Sequence, residues 1–189
     1  PHALASSYLR EARAHGADLA LRTTVVGLEP VRGGWRVRVR EPGGGPFSIT
    51  ARRIVNAAGL AADRVAALAG IDVDALGWRH RFNKGDWFAV APSVRRPSVP
   101  LVYPIPVEAG LGIHLTEDLA GGCLAGPDTT WVEGPRYDVD PGKAAAFASA
   151  VRRYLPGVRA EDLTPAYAGV RPKLQGPGEA PRDFVLAGG

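Results

Sequence analysis

The chain has 189 residues, 46% of them hydrophobic and 22% charged, with a formal net charge of +4 at pH 7. That length and composition support a buried core in one large domain or parts of two, and no apolar run approaches the ~20 residues a membrane-spanning helix needs. Cys123 is the single cysteine, which excludes an intrachain disulfide and a cysteine-built metal site, so no metal is expected and a reducing compartment fits. Basic residues are scattered among acidic ones, an arrangement that argues against a nucleic-acid tail.

Residues 3–15 carry Leu4, Ala5, Tyr8, Leu9 and Ala12 at helical spacing and run into Gly16, so the spacing predicts an amphipathic helix rather than a secretory leader. Residues 17–29 are rich in β-formers, with Gly27 at a candidate bulge. Residues 35–40 and 47–51 alternate strictly on either side of a Gly/Pro-rich turn, which predicts a hairpin or meander. Arg36, Arg38 and Arg40 form a row on one face of that strand, either solvated or suited to backbone phosphates. Ile54-Val55 then reads as a short strand, Asn56-Ala57-Ala58-Gly59 as a turn of small side chains, and residues 61–69 as a helix with Ala61, Val65 and Leu68 on one face. Two readings fit that turn: bare amide groups open to a flat, phosphate-bearing ligand, or small residues that let a helix pack closely on a sheet.

After Gly70 the chain turns to aromatic, proline-punctuated strands, and a domain boundary is placed at residues 76–78. Residues 81–90 form a strand. Residues 101–106 form a strand with prolines, hence an edge or a strand end, and residues 111–116 and 121–128 form two more around a turn at Glu117-Asp118. His114 alternates with apolar Ile113 and Leu115 and so points to the opposite face. Residues 131–138 read as a loop. Asp140-Pro141 caps a helix with core positions Ala144, Phe147, Ala148, Val151 and Tyr154, ended by Leu155-Pro156-Gly157. Residues 163–174 form a strand, residues 176–179 a turn, and residues 183–186 a last strand.

Several of these stretches carry a family resemblance. The segment Arg53-Ile54-Val55-Asn56-Ala57-Ala58-Gly59, followed by Ala62-Asp63, resembles the NAAG segment of FAD-dependent oxidoreductases of the D-amino-acid oxidase superfamily, which returns the chain to the flavin-binding sheet and runs beside the cofactor. Asn56, Ala57, Ala58 and Gly59 would then be cofactor-binding, and Val25 or Val26 would offer its backbone to the adenine. Lys84-Gly85-Asp86-Trp87-Phe88 resembles the family's KGdYF strand. There Gly85 would let the backbone approach the flavin and Lys84 would face the isoalloxazine, where a cation stabilises the reduced anionic ring; a surface turn lysine is the alternative. The string Tyr103-Pro104-Ile105-Pro106, then residues 111–116, then Ala125-Gly126-Pro127-Asp128 is similar to the branch typified by L-2-hydroxyglutarate dehydrogenase. Tyr167-Ala168-Gly169-Val170-Arg171-Pro172 resembles the strand whose arginine holds the substrate carboxylate.

The resemblance implies an α/β chain, α+β in its second part. Residues 1–76 would be part of a Rossmann-like FAD-binding domain with a β-meander, residues 77–175 a substrate-binding domain on a mixed antiparallel sheet, and residues 176–189 a return strand. The expected activity is oxidation of a small 2-hydroxy acid, L-2-hydroxyglutarate foremost, by hydride transfer to FAD, with oxygen or a quinone as the next acceptor. Arg171 would grip the carboxylate, Lys173 a second carboxylate, Tyr103 would line the substrate, and His114 would take the hydroxyl proton. The alternatives are amine oxidation of the D-amino-acid or glycine oxidase kind, or a non-catalytic anion-binding module. The chain opens on Pro1, contains no methionine and shows neither the G-x-G-x-x-G turn nor the second glycine-rich flavin segment of such enzymes. It is therefore expected to be an internal piece that binds FAD poorly when alone. A cytoplasmic location is expected, with peripheral contact between the full protein and the inner membrane as the alternative; no nucleic-acid partner is expected.

Overall fold

The structure, a computed structural model, describes residues 2–97, 101–105 and 112–186. Pro106, residue 111 and residues 187–189, which fall within the readings above, lie outside the described residues. The chain divides into two compact units, Pro1–Asp72 and Val73–Gly189, and every described strand pair is antiparallel. Among the described residues no helix is long and apolar enough to cross a membrane.

The first unit holds helix α1 (His2–Ala14), a meander β1 (Thr24–Val31), β2 (Gly34–Arg40) and β3 (Phe47–Ala51), and the short helix α2 (Ala62–Leu68). Alternation puts Val37 and Val39 on one face of the meander, where both are buried, and the arginines on the other. Helix α1 buries none of its residues. The register of β1 on β2 slips between Val25 and Gly27, so Val26 is the bulged residue, next to the glycine the sequence marked. The arginine row is not a bare cationic stripe: Arg36 pairs with Glu29 at 2.9 Å, and the Arg38 guanidinium lies over Gly27, 2.5 Å from where a Cβ would stand. One expectation fails here. Residues 53–58 are irregular rather than a strand, and Val55 is 89% exposed; a strand is defined by its ladder, and no described strand lies beside this run.

In the second unit six strands form one sheet: β4 (Arg81–Val90), β5 (Leu101–Val102), β6 (His114–Glu117), β7 (Cys123–Gly126), β8 (Thr130–Val132) and β9 (Leu163–Lys173). The order runs β5-β6-β7-β4-β8, with β9 paired to β4 along its whole length. β4 is the spine. Its even positions face helix α3 (Ala144–Val151), and Phe88 and Val90 share that face with Leu115, Cys123 and Ala125. Phe88 meets Phe147 of α3 at a ring-centroid distance of 4.6 Å; each of these fully buried rings contributes on the order of 2–3 kcal/mol by leaving water. Asp140 caps the turn before α3 by accepting from the Gly142 N–H at 2.8 Å, as the sequence predicts.

Two further expectations change. The stretch read as a loop contains β8, because the edge of β4 beyond β7 offers free backbone groups to Thr130, Trp131 and Val132. Residues 183–186 are not a strand; Phe184 and Leu186 are exposed, with no described ladder partner.

Candidate active site

Odd positions of β4 point to the face away from α3, and register carries that face across the sheet. Trp87 lies opposite Tyr167, Gly85 opposite Gly169, Asn83 opposite Arg171 and Arg81 opposite Lys173. On the neighbouring strands His114 lies opposite Gly126. Directly opposed residues share a face, so Tyr167, Arg171, Lys173 and His114 stand on one side of one sheet. Tyr103 joins them, its ring stacked on His114 at 4.2 Å.

The local sequence explains how that row closes. Gly126 separates His114 from β4, and a Cβ there would lie 2.8 Å from both the Trp87 ring and the Asp86 carbonyl oxygen. Without it the indole leans across Gly126 and meets His114 edge-on, with centroids 5.2 Å apart, while its other neighbour is Tyr167, stacked at 5.7 Å. Histidine, indole and two phenol rings thus form one aromatic wall. Burial pushes the Tyr167 hydroxyl up from its usual pKa, so it stays protonated and able to donate.

His114 is 7% exposed. Its Nδ1 lies 3.2 Å from the Gly112 carbonyl oxygen, and a carbonyl only accepts, so the neutral ring carries its proton on Nδ1 and presents an unprotonated Nε2. Burial disfavours the imidazolium; the Gly112 hydrogen bond opposes that and the charge of Arg171 adds to it, and the balance holds the pKa below the ordinary 6.5. Behind the strand, the Tyr154 hydroxyl donates to the Ile113 carbonyl and fixes the peptide next to His114. Arg171 is exposed and has no carboxylate partner among the described residues. The arrangement offers a neutral base with a cation on the same face.

Lys84 and Gly85 have other surroundings than the sequence suggests. Lys84 is neither a surface turn residue nor on the His114 face. It is buried on the α3 side, 3.0 Å from Asp86, and donates to the Asp138 carbonyl. Gly85 is bare because Pro127 sits over it, 2.6 Å from where a Cβ would stand, so the space assigned to a cofactor holds the chain's own proline.

The sequence reading missed a buried ionic network centred on Asp86, which is 0% exposed. Lys143, at the start of the α3 segment, donates to Asp86 at 2.6 Å, to Asp128 at 2.7 Å and to Thr130 at 3.1 Å, and Asp128 also accepts from the Asp86 N–H at 2.7 Å. Burial works against the Lys143 charge, but hydrogen bonds to Asp128 and Asp86 outweigh it and lift its pKa. Two cations and two carboxylates balance. The only signal was two charges, Lys84 and Asp86, in phase with the apolar Phe88 and Val90. Trp87 and Tyr167 were missed because their roles depend on Gly126.

In the first unit, Asn56 donates from Nδ2 to the Ala62 carbonyl at 2.7 Å and accepts at Oδ1 from the Ala58 N–H at 3.3 Å. Its side chain therefore clamps the loop to the start of α2. Ala57, Ala58 and Gly59 are exposed, and nothing lies within 4 Å of a Cβ built at Gly59. Of the two valines, Val25 is paired with Val39 whereas Val26 has no partner in register. An exposed loop of small side chains and a bulged valine leave room for a flat, anionic dinucleotide, although the Ala58 N–H is already held by Asn56.

The FAD dependent oxidoreductase family, DAO, matches the chain over residues 1–189. The chain is 38% identical over 146 residues to the mitochondrial L-2-hydroxyglutarate dehydrogenase of Arabidopsis thaliana, covering 71% of this chain and 30% of that protein. It is 30% identical over 118 residues to the L-2-hydroxyglutarate dehydrogenase of Escherichia coli strain K12, covering 61% of this chain and 26% of that one. The chain thus matches less than a third of the length of each relative. Among solved structures, the dithionite-reduced L-alpha-glycerophosphate oxidase of Mycoplasma pneumoniae with FAD bound aligns with TM-score 0.63 and 21% identity, over 80% of this chain and 38% of that one. The glycerol-3-phosphate dehydrogenase of Bacillus halodurans complexed with FAD aligns with TM-score 0.66 and 21% identity, over 87% of this chain and 33% of that one. These likenesses show a shared fold.

Proposed function

The chain belongs to the DAO family of FAD-dependent oxidoreductases, and from that premise we propose that its full natural protein oxidises a small 2-hydroxy acid, L-2-hydroxyglutarate first, to the 2-oxo acid. FAD, when bound, would supply the hydride acceptor. The observation that carries this reading is His114: neutral, Nδ1–H held by the Gly112 carbonyl, Nε2 open, on the same face as an unpaired Arg171.

Arg171 binds the C1 carboxylate through a bidentate pair. His114 Nε2 takes the hydroxyl proton as the C–H bond breaks, so the alcohol loses one hydride and one proton and no other reactant is consumed in this step. Tyr103 and Trp87 hold the imidazole plane and exclude water from it. Lys173, two residues on and on the same face as Arg171, meets the second carboxylate of a diacid. In the first unit Ala57, Ala58 and Gly59 would line the cofactor, Asn56 shapes their loop, and Val26 would offer its backbone to the adenine. The assignment of the two units as flavin-binding and substrate-binding parts follows the same reading. It is supported by the 38% identity to a protein named L-2-hydroxyglutarate dehydrogenase and by the site's pairing of base and cation.

The test is steady-state turnover of the full natural chain with L-2-hydroxyglutarate, against His114→Ala and Arg171→Gln. The first should lower kcat about 10²–10⁴-fold, the range that general-base assistance supplies, and the second should mainly raise KM. Equal activity on neutral amines, indifferent to His114, would favour the amine-oxidising alternative.

A further inference from the structure

A polar side chain inside a sheet needs a partner, because taking an amide out of water without one returns nothing for the desolvation. Asn83 has no such partner. It stands in β4 between β8 and β9, and only 4% of it is exposed. Among the described residues its side chain makes no hydrogen bond, yet neither of its polar atoms is wholly sealed from solvent. Asn83 is a nearly buried carboxamide whose polar end can still be reached.

Register gives that carboxamide a defined neighbourhood. Arg171 lies directly opposite Asn83 on β9, and Trp131 directly opposite on β8, so a guanidinium, a carboxamide and an indole form one row on one face. Directly opposed side chains start from Cβ atoms about 4.5–5.5 Å apart, close enough for Asn83 and Arg171 to reach the two oxygens of a single carboxylate. The adjoining row on β4 and β9 is Arg81 and Lys173. Of these five side chains three are cations and none is a carboxylate. Nδ2 carries two hydrogens to donate, and an anion seated on the guanidinium is the partner that uses them.

We propose that Asn83 is a substrate-binding residue, donating an Nδ2–H to the carboxylate that Arg171 holds. This rests on the function proposed above and concerns that carboxylate alone. The guanidinium fork takes both oxygens, and the carboxamide adds a bond from β4 to a lone pair the fork leaves free. A neutral donor adds direction without adding charge, so it favours a carboxylate seated between the two strands over one bound loosely at the exposed end of Arg171.

The experiment uses the full natural chain with Asn83→Leu, which keeps the size and removes both polar atoms, and Asn83→Asp, which keeps the shape and sets a negative charge opposite Arg171. Read out are the dissociation constant of 2-oxoglutarate by calorimetry, KM for L-2-hydroxyglutarate, FAD content and melting temperature. With leucine the dissociation constant and KM should rise together about 10–100-fold, the span of one hydrogen bond to a charged group. FAD content should stay unchanged and the melting temperature should hold or rise, because no partner inside the protein is lost. With aspartate the dissociation constant and KM should rise further. Unchanged values in Asn83→Leu overturn the inference. A lower melting temperature or a misfolded leucine variant overturns it too, since the carboxamide would then be a structural group, and FAD loss overturns it by assigning the carboxamide to the cofactor. If the unsubstituted protein neither binds 2-oxoglutarate nor turns over a 2-hydroxy acid, the proposed function falls and the inference with it; if it does both and is indifferent to Asn83, only the inference falls.

Discussion

His114 shows how much of a side chain's chemistry its neighbours decide. An exposed histidine is half protonated near pH 6.5 and serves poorly as a base below that value. Here burial and the nearby Arg171 guanidinium depress the pKa against the pull of the Gly112 carbonyl. The ring should stay neutral to lower pH than an ordinary histidine, and the acid limb of kcat/KM should lie below 6.5. Replacing Arg171 by Gln removes one depressing charge, so the His114 pKa, followed by NMR titration independently of substrate binding, should rise towards the ordinary value. An unmoved pKa would contradict the electrostatic coupling. The same depression has a stability sign. Below the unfolded value of 6.5 the unfolded chain binds the proton first, so this contribution is fully present above that pH and is lost as pH falls through the native pKa.

At the scale of elements, β4 organises the second unit by dividing two chemistries between its faces. Its even face presents Phe88 and Val90 to α3 and continues into the Asp86 network, and its odd face carries Trp87 to the site. Removing Lys143 leaves the buried Asp86 and the part-buried Asp128 with too little countercharge. Lys143→Met should therefore cost about 3 kcal/mol, the lower end of the range for breaking a buried pair because Lys143 is partly exposed, measured by urea unfolding. Pairing it with Asp86→Asn should cost less than the sum of the two single changes. Gly126→Ala tests the other face. Its Cβ would meet the indole and a backbone oxygen at 2.8 Å, so it should destabilise by about 1–3 kcal/mol and lower turnover by shifting Trp87 off His114, seen as a change in tryptophan fluorescence. These faces were only partly legible in the sequence. Strict alternation marked β2 and β3 and turned His114 outward, because each reports its face through period two, whereas β4 and β9 were marked by their likeness to the family's strands. The ionic network was not legible, because Asp86 meets Asp128 across 42 positions and Lys143 across 57, and no local pattern encodes such pairings. Lys84 was assigned to a flavin or to solvent, although its partner Asp86 was two residues away on the same face.

At the scale of the whole molecule, the first unit presents an exposed loop at residues 57–59 and a bulged Val26; the second presents His114 and Arg171 on one sheet face. Ile54-Val55 and residues 183–186 were read as strands from their apolar content and are irregular here, because a strand requires a neighbour as well as a pattern. The family was legible because short strings such as Asn56-Ala57-Ala58-Gly59 and Gly169-Val170-Arg171-Pro172 keep their residue order, whereas the surroundings of Lys84 and Gly85 needed the fold. We propose that this chain supplies the base and the carboxylate clamp of a flavin enzyme acting on 2-hydroxy acids. The most direct measurement is anaerobic titration of the full natural protein, following the visible flavin band, with L-2-hydroxyglutarate, lactate and a panel of amino acids. The account predicts bleaching by the five-carbon diacid, with little by lactate and none by amino acids, and slow bleaching when His114 is replaced by Ala. Bleaching by amino acids and not by the hydroxy diacid, or a full-length protein that holds no flavin, would contradict it.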